Sequence, residues 1–227
     1  KIKLNIPTKN KHLEKTLPIL YEDENVLVIN KPQGVLTHSK GALSDEFTVA
    51  DFIKRFYADD LTEERPGIVH RLDRDTSGVI IGAKNAKTAK YLRKQFSDRN
   101  VKKTYLAILS GTPKQEKAVL DLPIARNMNN PSTFKVDANG KNAITKYEII
   151  KHLPSNETLV KFNPVTGRTH QLRVHANYLN IPIKGDRVYG KSVKNERMYL
   201  HASELEITIP GGKRMTFTAE TPKEFNE

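Results

Sequence analysis

His70-Arg71-Leu72-Asp73-Arg74-Asp75-Thr76-Ser77-Gly78 runs directly into Val79-Ile80-Ile81-Gly82, and this junction decides how the rest of the chain is read. The apolar run, bounded by glycines, predicts a buried strand. Pro66-Gly67 and the apolar pair Ile68-Val69 precede the charged stretch. A solvated run of charge has no reason to be enclosed so tightly by turn residues on one side and a core strand on the other. Asp73 is the decisive residue. A carboxylate held against the core stays ionised only beside a cationic partner, because an unpaired buried charge is too costly.

Upstream, Ile19-Leu20-Tyr21 and Val26-Leu27-Val28-Ile29 flank Glu22-Asp23-Glu24-Asn25 and predict two strands around a turn. The second strand runs into Asn30-Lys31-Pro32-Gln33-Gly34, a turn expected to leave Lys31 at the mouth of a site. Residues Lys1 to Pro18 read as an extended lead-in with a short strand at Ile2 to Ile6. Thr48 is placed to cap a helix in which Val49, Phe52, Ile53 and Phe56 share one face, ending near Asp59-Asp60.

Downstream, Asn85 starts a second helix with Ala89, Leu92 and Phe96 inward and Lys87, Lys90, Lys94 and Arg99 elsewhere. Those cations suit phosphate contacts that position a nucleic acid without reading its sequence. Lys102 to Ser110 is strand-like and stops at Gly111, whereas Val119 to Ala143 reads as turns. Strand character resumes over Ala143 to Leu153 and Thr158 to Asn163. Gly167-Arg168-Thr169-His170-Gln171-Leu172-Arg173-Val174-His175 then predicts a strand end and a helix capped by Thr169, running to about Leu179. Leu172, Ala176 and Leu179 fall on its core face, and His170, Arg173 and Asn177 on another. A last strand pair, Leu205 to Ile209 and Met215 to Thr218, is joined through Pro210-Gly211-Gly212. Many strands on short turns with few helices argue for an α+β fold around a mixed, mostly antiparallel sheet.

The chain has 227 residues, one domain's worth after the lead-in, with 19–227 as that domain. It carries 38 Lys and Arg against 26 Asp and Glu, a net charge of +12 and a pI near 9.7. That balance favours a polyanionic partner, nucleic acid before an anionic membrane, since Trp is absent and no basic amphipathic helix is evident. With a mean hydropathy of −0.58 and no long apolar run, a soluble protein is expected. The absence of cysteine excludes disulfides, thiolate zinc sites and a cysteine nucleophile, and is compatible with the cytoplasm.

The stretch from His70 to Gly78 resembles the HRLDxxTSG signature of the RluA/RluD-type pseudouridine synthases. Further elements extend the resemblance over about residues 19 to 225: Lys31-Pro32-Gln33-Gly34 with His38, Tyr105 in a Tyr-x-Ala setting, the Gly167 to His175 element continuing through Ile181 to Gly190, and Leu200-His201-Ala202. The resemblance implies isomerisation of uridine to pseudouridine in RNA, ribosomal or transfer, at a central RNA-binding cleft and without cofactor or metal. It makes Asp73 the catalytic carboxylate, Arg173 its ion-pair partner, Tyr105 the ring that stacks on uracil, and Leu200 an apolar wall. Arg71, beside the site, can fill the stack vacated by a flipped base. His70, Arg168, His170 and Lys31 complete the expected substrate-binding set. A monomer acting in the cytoplasm is expected. Many relatives carry a small RNA-binding domain upstream, so Lys1 to Pro18 reads as its linker. Two other classes stay open on the residues alone: a noncatalytic RNA-binding module, and a metal-dependent nuclease using His70, Asp73 and Asp75.

Overall fold

The computed structural model describes residue 12 and residues 14–39, 45–58, 65–191 and 196–225. The strand expected at Ile2 to Ile6 lies outside the described residues. The chain order begins β1 (Ile19–Glu22), β2 (Val26–Lys31), α1 (Val49–Ile53), β3 (Ser77–Ala83), α2 (Ala86–Ser97) and β4 (Lys102–Leu109). It continues with β5 (Lys117–Asp121), β6 (Ile124–Arg126), β7 (Phe134–Val136), β8 (Ile144–Leu153) and β9 (Glu157–Pro164). It ends with α3 (Gln171–Tyr178), β10 (Leu200–Thr208) and β11 (Arg214–Thr218).

Among the described residues nine strands form one sheet in the order β1-β2-β3-β10-β4-β9-β8-β5, with β11 joined to β10, while β6 and β7 make a separate hairpin. Among the described strands only the β3–β10 pair is parallel, so the sheet is mixed and mostly antiparallel, and the fold is α+β as expected.

Both faces of the sheet are covered around β2 and β3, which explains their unbroken apolar sequence. Val26, Val28, Val79 and Ile81 pack with Ala89 and Leu92 of α2, whereas Leu27, Ile29 and Ile80 pack with Phe52 and Ile53 of α1. Each such side chain contributes about 1.5–3 kcal/mol through removal from water. Local signals start both helices. Thr48 and Asp51 form a capping box on α1, and the Asn85 side chain accepts from Thr88 N–H at the start of α2. α3 lies on the other half of the sheet, with Leu172 and Ala176 against Ala107, Leu109 and Val160.

At the centre, one rung runs across four strands: Gly78, Ala202, Tyr105 and Phe162. Gly78 has φ +110°, and a Cβ there would lie 2.1 Å from the Ala202 carbonyl oxygen, so only glycine permits this approach. The approach brings the charged loop at the start of β3 against β10. β3 pairs with β10 only through His201 and Ala202, so the second half of β10, still paired with β4 past a register shift between Ala202 and Glu204, takes β11 on its other edge.

Three local expectations are corrected. Residues 119–143, read as turns, contain the end of β5 and the β6–β7 hairpin; β5, Lys-Ala-Val-Leu-Asp, is a short edge strand that buries only Leu120 and leaves Val119 exposed, and it carries little strand signal. The helix begun at Thr48 stops at Ile53 and tightens into a 3-10 turn over Lys54–Phe56. Thr169 does not cap α3. His170 occupies that position in the left-handed region (φ 56°) and makes no side-chain cap bond.

Candidate active site

Two segments converge on the central rung: the loop of residues 70–76 that enters β3, and the turn between β9 and α3. The loop is fixed from behind. Thr37 Oγ1 donates to Leu72 O (2.8 Å) and accepts from Leu72 N–H (3.1 Å), clamping both sides of a buried leucine. Lys31 Nζ donates to the carbonyls of Pro32 (2.9 Å), Val35 (2.8 Å) and Arg74 (2.9 Å). His70 Nε2 accepts from Ile81 N–H at 3.0 Å, and its ring stacks on Phe96 at 4.5 Å.

These contacts correct two expectations. Lys31 is not at the mouth of a site; it is fully buried and rivets two turns together. Burial draws its pKa down to about 7, with Asp75 and Asp73 acting the other way. All three ammonium protons are in hydrogen bonds, which only the charged form can supply. His70 faces β3 and α2 rather than the cleft. Burial, then the charge of Lys103, lower its pKa to about 3, in keeping with a neutral ring that accepts at Nε2. The nuclease reading thereby loses its histidine ligand, and among the described residues no three His, Asp or Glu side chains are grouped to hold a metal ion.

With the loop so anchored, Arg71 and Asp73 project into a cleft of about 110 Å³ that is also lined by Tyr105, Arg168, His170 and Leu200. Asp73 Oδ2 accepts from Arg173 Nη1 at 3.2 Å, and its side chain keeps 18% of its surface exposed. The carboxylate is therefore paired through one oxygen and still open to the cleft. Burial, then the negative charge of Asp73, push the Tyr105 phenol well above its usual pKa, so the ring stays neutral.

The fork of Arg173 is turned elsewhere. Nε and Nη2 donate to Asp186 at 2.7 and 2.9 Å, and the Asp186 side chain is completely buried. Asp186 Oδ1 also accepts from the amides of Val188 (2.9 Å) and Tyr189 (3.1 Å). Burial works against its charge, but Arg173 and these amides hold the carboxyl below its usual pKa. For Arg173, burial is likewise outweighed by Asp186 and Asp73, which keep the guanidinium charged. The Tyr189 ring covers the guanidinium at 5.1 Å. The expected Asp73–Arg173 pair thus exists, but the bidentate partner is Asp186.

The turn before α3 is set by Gln171. Its carbonyl accepts from Thr166 Oγ1 (2.7 Å) and Arg168 N–H (3.0 Å), and its amide donates to Ile144 O (3.0 Å) and Thr145 Oγ1 (2.9 Å). That turn carries Arg168 and His170 to the cleft wall. His170 Nδ1 lies 2.9 Å from Tyr189 Oη, which itself accepts from Phe134 N–H. The phenol proton can therefore go to Nδ1, leaving the ring proton on Nε2, 3.9 Å from Asp73 Oδ2. Burial keeps His170 neutral, Asp73 opposing.

Of the nine expected residues, seven thus share one cleft, and Lys31 and His70 support it from outside. Asp186, Tyr189, Gln171 and Lys103 were not anticipated. Asp186 and Tyr189 stand in the Ile181 to Gly190 element, where no spacing reveals a partner; alternation along β4, which puts Lys103 on the same side as Tyr105, could have indicated that lysine. Chemically, the cleft offers a carboxylate as nucleophile or base, apolar walls for a flat ring, and cations for the backbone attached to it.

A family model described as RNA pseudouridylate synthase matches residues 25–178. The ribosomal large subunit pseudouridine synthase D of Borreliella burgdorferi is 42% identical over 218 residues, which cover 92% of this chain and 66% of that protein. The dual-specificity RNA pseudouridine synthase RluA of Haemophilus influenzae is 37% identical over 222 residues, covering 93% of this chain and 96% of that protein. Among solved structures, human RNA pseudouridylate synthase domain containing 4 superposes with a TM-score of 0.74 at 27% identity, covering 96% of this chain and 94% of that one.

Proposed function

The chain belongs to the RNA pseudouridylate synthase family and is an RNA-modifying isomerase, and we propose that it converts uridine to pseudouridine with Asp73 as the catalytic carboxylate. In this isomerisation the N1–C1′ bond breaks, the uracil turns, C5–C1′ forms, the C5 proton is lost and N1 gains one. Asp73 is the group that acts on the nucleotide. Arg173, held by Asp186, pairs with that carboxylate and aims it while leaving one oxygen free. Tyr105 and Leu200 sandwich the uracil, and Arg71 takes its place in the stack once the nucleotide is flipped out. Arg168 and His170 bound the cleft on its α3 side, where the ribose and its phosphate approach.

The observation that carries this reading is the placement of Asp73, paired to a buried Arg173 at 3.2 Å in the cleft that also holds Tyr105 and Leu200. Ribosomal RNA as substrate rests on the relatives' names. Action as a monomer in the cytoplasm is part of the same proposal. The test is Asp73→Asn on RNA labelled with tritium at uridine C5. Tritium release should fall by at least ~1,000-fold, about 4 kcal/mol of barrier, while RNA affinity stays within about threefold. Substantial release by the variant would remove Asp73 from the chemistry.

A further inference from the structure

Beside the active cleft, and sharing with it the wall of Lys103, Thr166, Gly167 and Arg168, lies a second cavity of about 310 Å³. Its other boundaries include Phe96, Arg99 and Val101, and among the described residues no carboxylate lines it. Lys103 is the unusual member. It follows from the alternation of β4 that Lys103 and Tyr105 emerge on the same side, about 7 Å apart along the strand. Asn163 Nδ2 donates to the Lys103 carbonyl (3.1 Å) and to Thr104 Oγ1 (3.2 Å), fixing this stretch to β9. Lys103 Nζ lies against Gly167 and donates to Thr166 O at 3.1 Å. Two of its three N–H groups have no acceptor among the described residues. Burial lowers its pKa to about 8, and no acid raises it again.

The two neighbouring cations are similarly placed. Arg99, just past α2 with φ 60°, is exposed and has no ion-pair partner among the described residues, whereas nearby Lys94 is paired with Asp98 at 2.7 Å. Among the described residues Arg168 donates its side chain only from Nε, to Asn142 O at 2.9 Å, leaving the ends of its guanidinium for another acceptor. Three cations around one cavity without a carboxylate form a site for an anion, and a lysine this poorly solvated gains most from one that displaces no existing partner.

We infer that Lys103, with Arg99 and Arg168, binds a backbone phosphodiester of the RNA next to the nucleotide held in the cleft. The inference rests on the RNA-isomerase reading, which supplies the polyanion, and it adds where the strand leaves the site. A base held at Tyr105 brings its attached backbone within reach of a cation two positions along the same strand. Arg168, on the shared wall, spans the cleft and the cavity.

The probe is a five-residue oligouridylate, compared with the same oligomer carrying uncharged methylphosphonate linkages, in anisotropy titrations across a salt series at pH 7. Lys103→Gln should weaken the charged oligomer about tenfold and reduce the slope of log K against log salt by about 0.7, the share of one phosphate on a single strand. It should leave binding of the uncharged oligomer as in the parent. Lys103→Arg should restore the slope, and Arg99→Gln should reduce it in the same sense. Binding of the charged oligomer by the parent at pH 8.5 should take up protons, as titrations in buffers of different ionisation enthalpy would show, and Lys103→Gln should lose that uptake.

A parental slope and affinity in Lys103→Gln overturns the inference, as does a loss confined to the single-turnover rate at saturating RNA. If Lys103→Gln does not fold by circular dichroism, the Arg99→Gln slope and the parent's proton uptake decide the matter, and the absence of both overturns it. Failure of the isomerase reading would show separately, as absence of pseudouridine with these slopes intact.

Discussion

Asp186→Asn removes one charge and changes almost nothing in shape, yet it should damage both stability and turnover. In the parent, two N–H groups of Arg173 go to Asp186 and a third to Asp73, so one guanidinium serves two carboxylates with separate faces. The Asp186 side chain is 0% exposed and that of Arg173 only 7%, so neither can recruit water. Breaking a buried pair from one side costs about 3–5 kcal/mol. Asn keeps one acceptor and Asp73 still neutralises Arg173, which argues for the lower end, about 3 kcal/mol. At roughly 2–4 °C per kcal/mol for a domain of this size, Tm should fall by about 6–12 °C. The remaining effect is chemical. Freed from Asp186, Arg173 turns its fork toward Asp73, binds both oxygens and blunts the carboxylate, so kcat should fall at least ~10-fold with KM little changed. Thermal unfolding by circular dichroism and single-turnover pseudouridine formation at saturating RNA would measure both. If Asp186→Asn melts within a degree of the parent and turns over at its rate, Asp186 does not orient Arg173 and the argument fails.

Lys31→Met should lower stability by about 2–4 kcal/mol, because three carbonyls lose their donor where water does not enter. Urea unfolding would show it, and unaltered stability would mean that the lysine does not brace the loop. His70 supplies a pH test. Its folded pKa of about 3 lies below the unfolded value near 6.5, so only the unfolded chain binds a proton between those limits. Stability conferred by the neutral ring is present above pH 6.5 and is lost as pH falls from 6.5 toward 3. Between pH 7 and pH 5 the loss should be about 2 kcal/mol in the parent and smaller by that amount in His70→Gln. Equal losses in both proteins would assign the effect to other buried groups, such as His175 and His201, whose pKa values burial also lowers.

Wherever the determining interaction is local or periodic, the sequence alone was sufficient. The apolar runs of β2 and β3, the caps Thr48 and Asn85, and Gly78 beside the charged loop are read within a few residues of themselves. Asp73 was marked by its enclosure, and Tyr105 and Arg173 by motifs whose order the fold keeps. What the tertiary structure decided is the fate of each charge once buried. Lys31 looks like any turn lysine until the carbonyl of Arg74, 43 residues later, closes its shell of acceptors. His70 belongs to the signature, yet an amide of β3 and the Phe96 ring take it away from the cleft. Arg173 was expected to pair with Asp73, and it does so through one nitrogen, while the loop after α3 brings in Asp186 to claim its fork. Periodicity reports which side of a strand or helix a residue is on. It carries no information about which distant oxygen or nitrogen will meet a charge there, and in a low-dielectric interior that meeting decides whether a cation braces a loop, orients a carboxylate or waits for a phosphate.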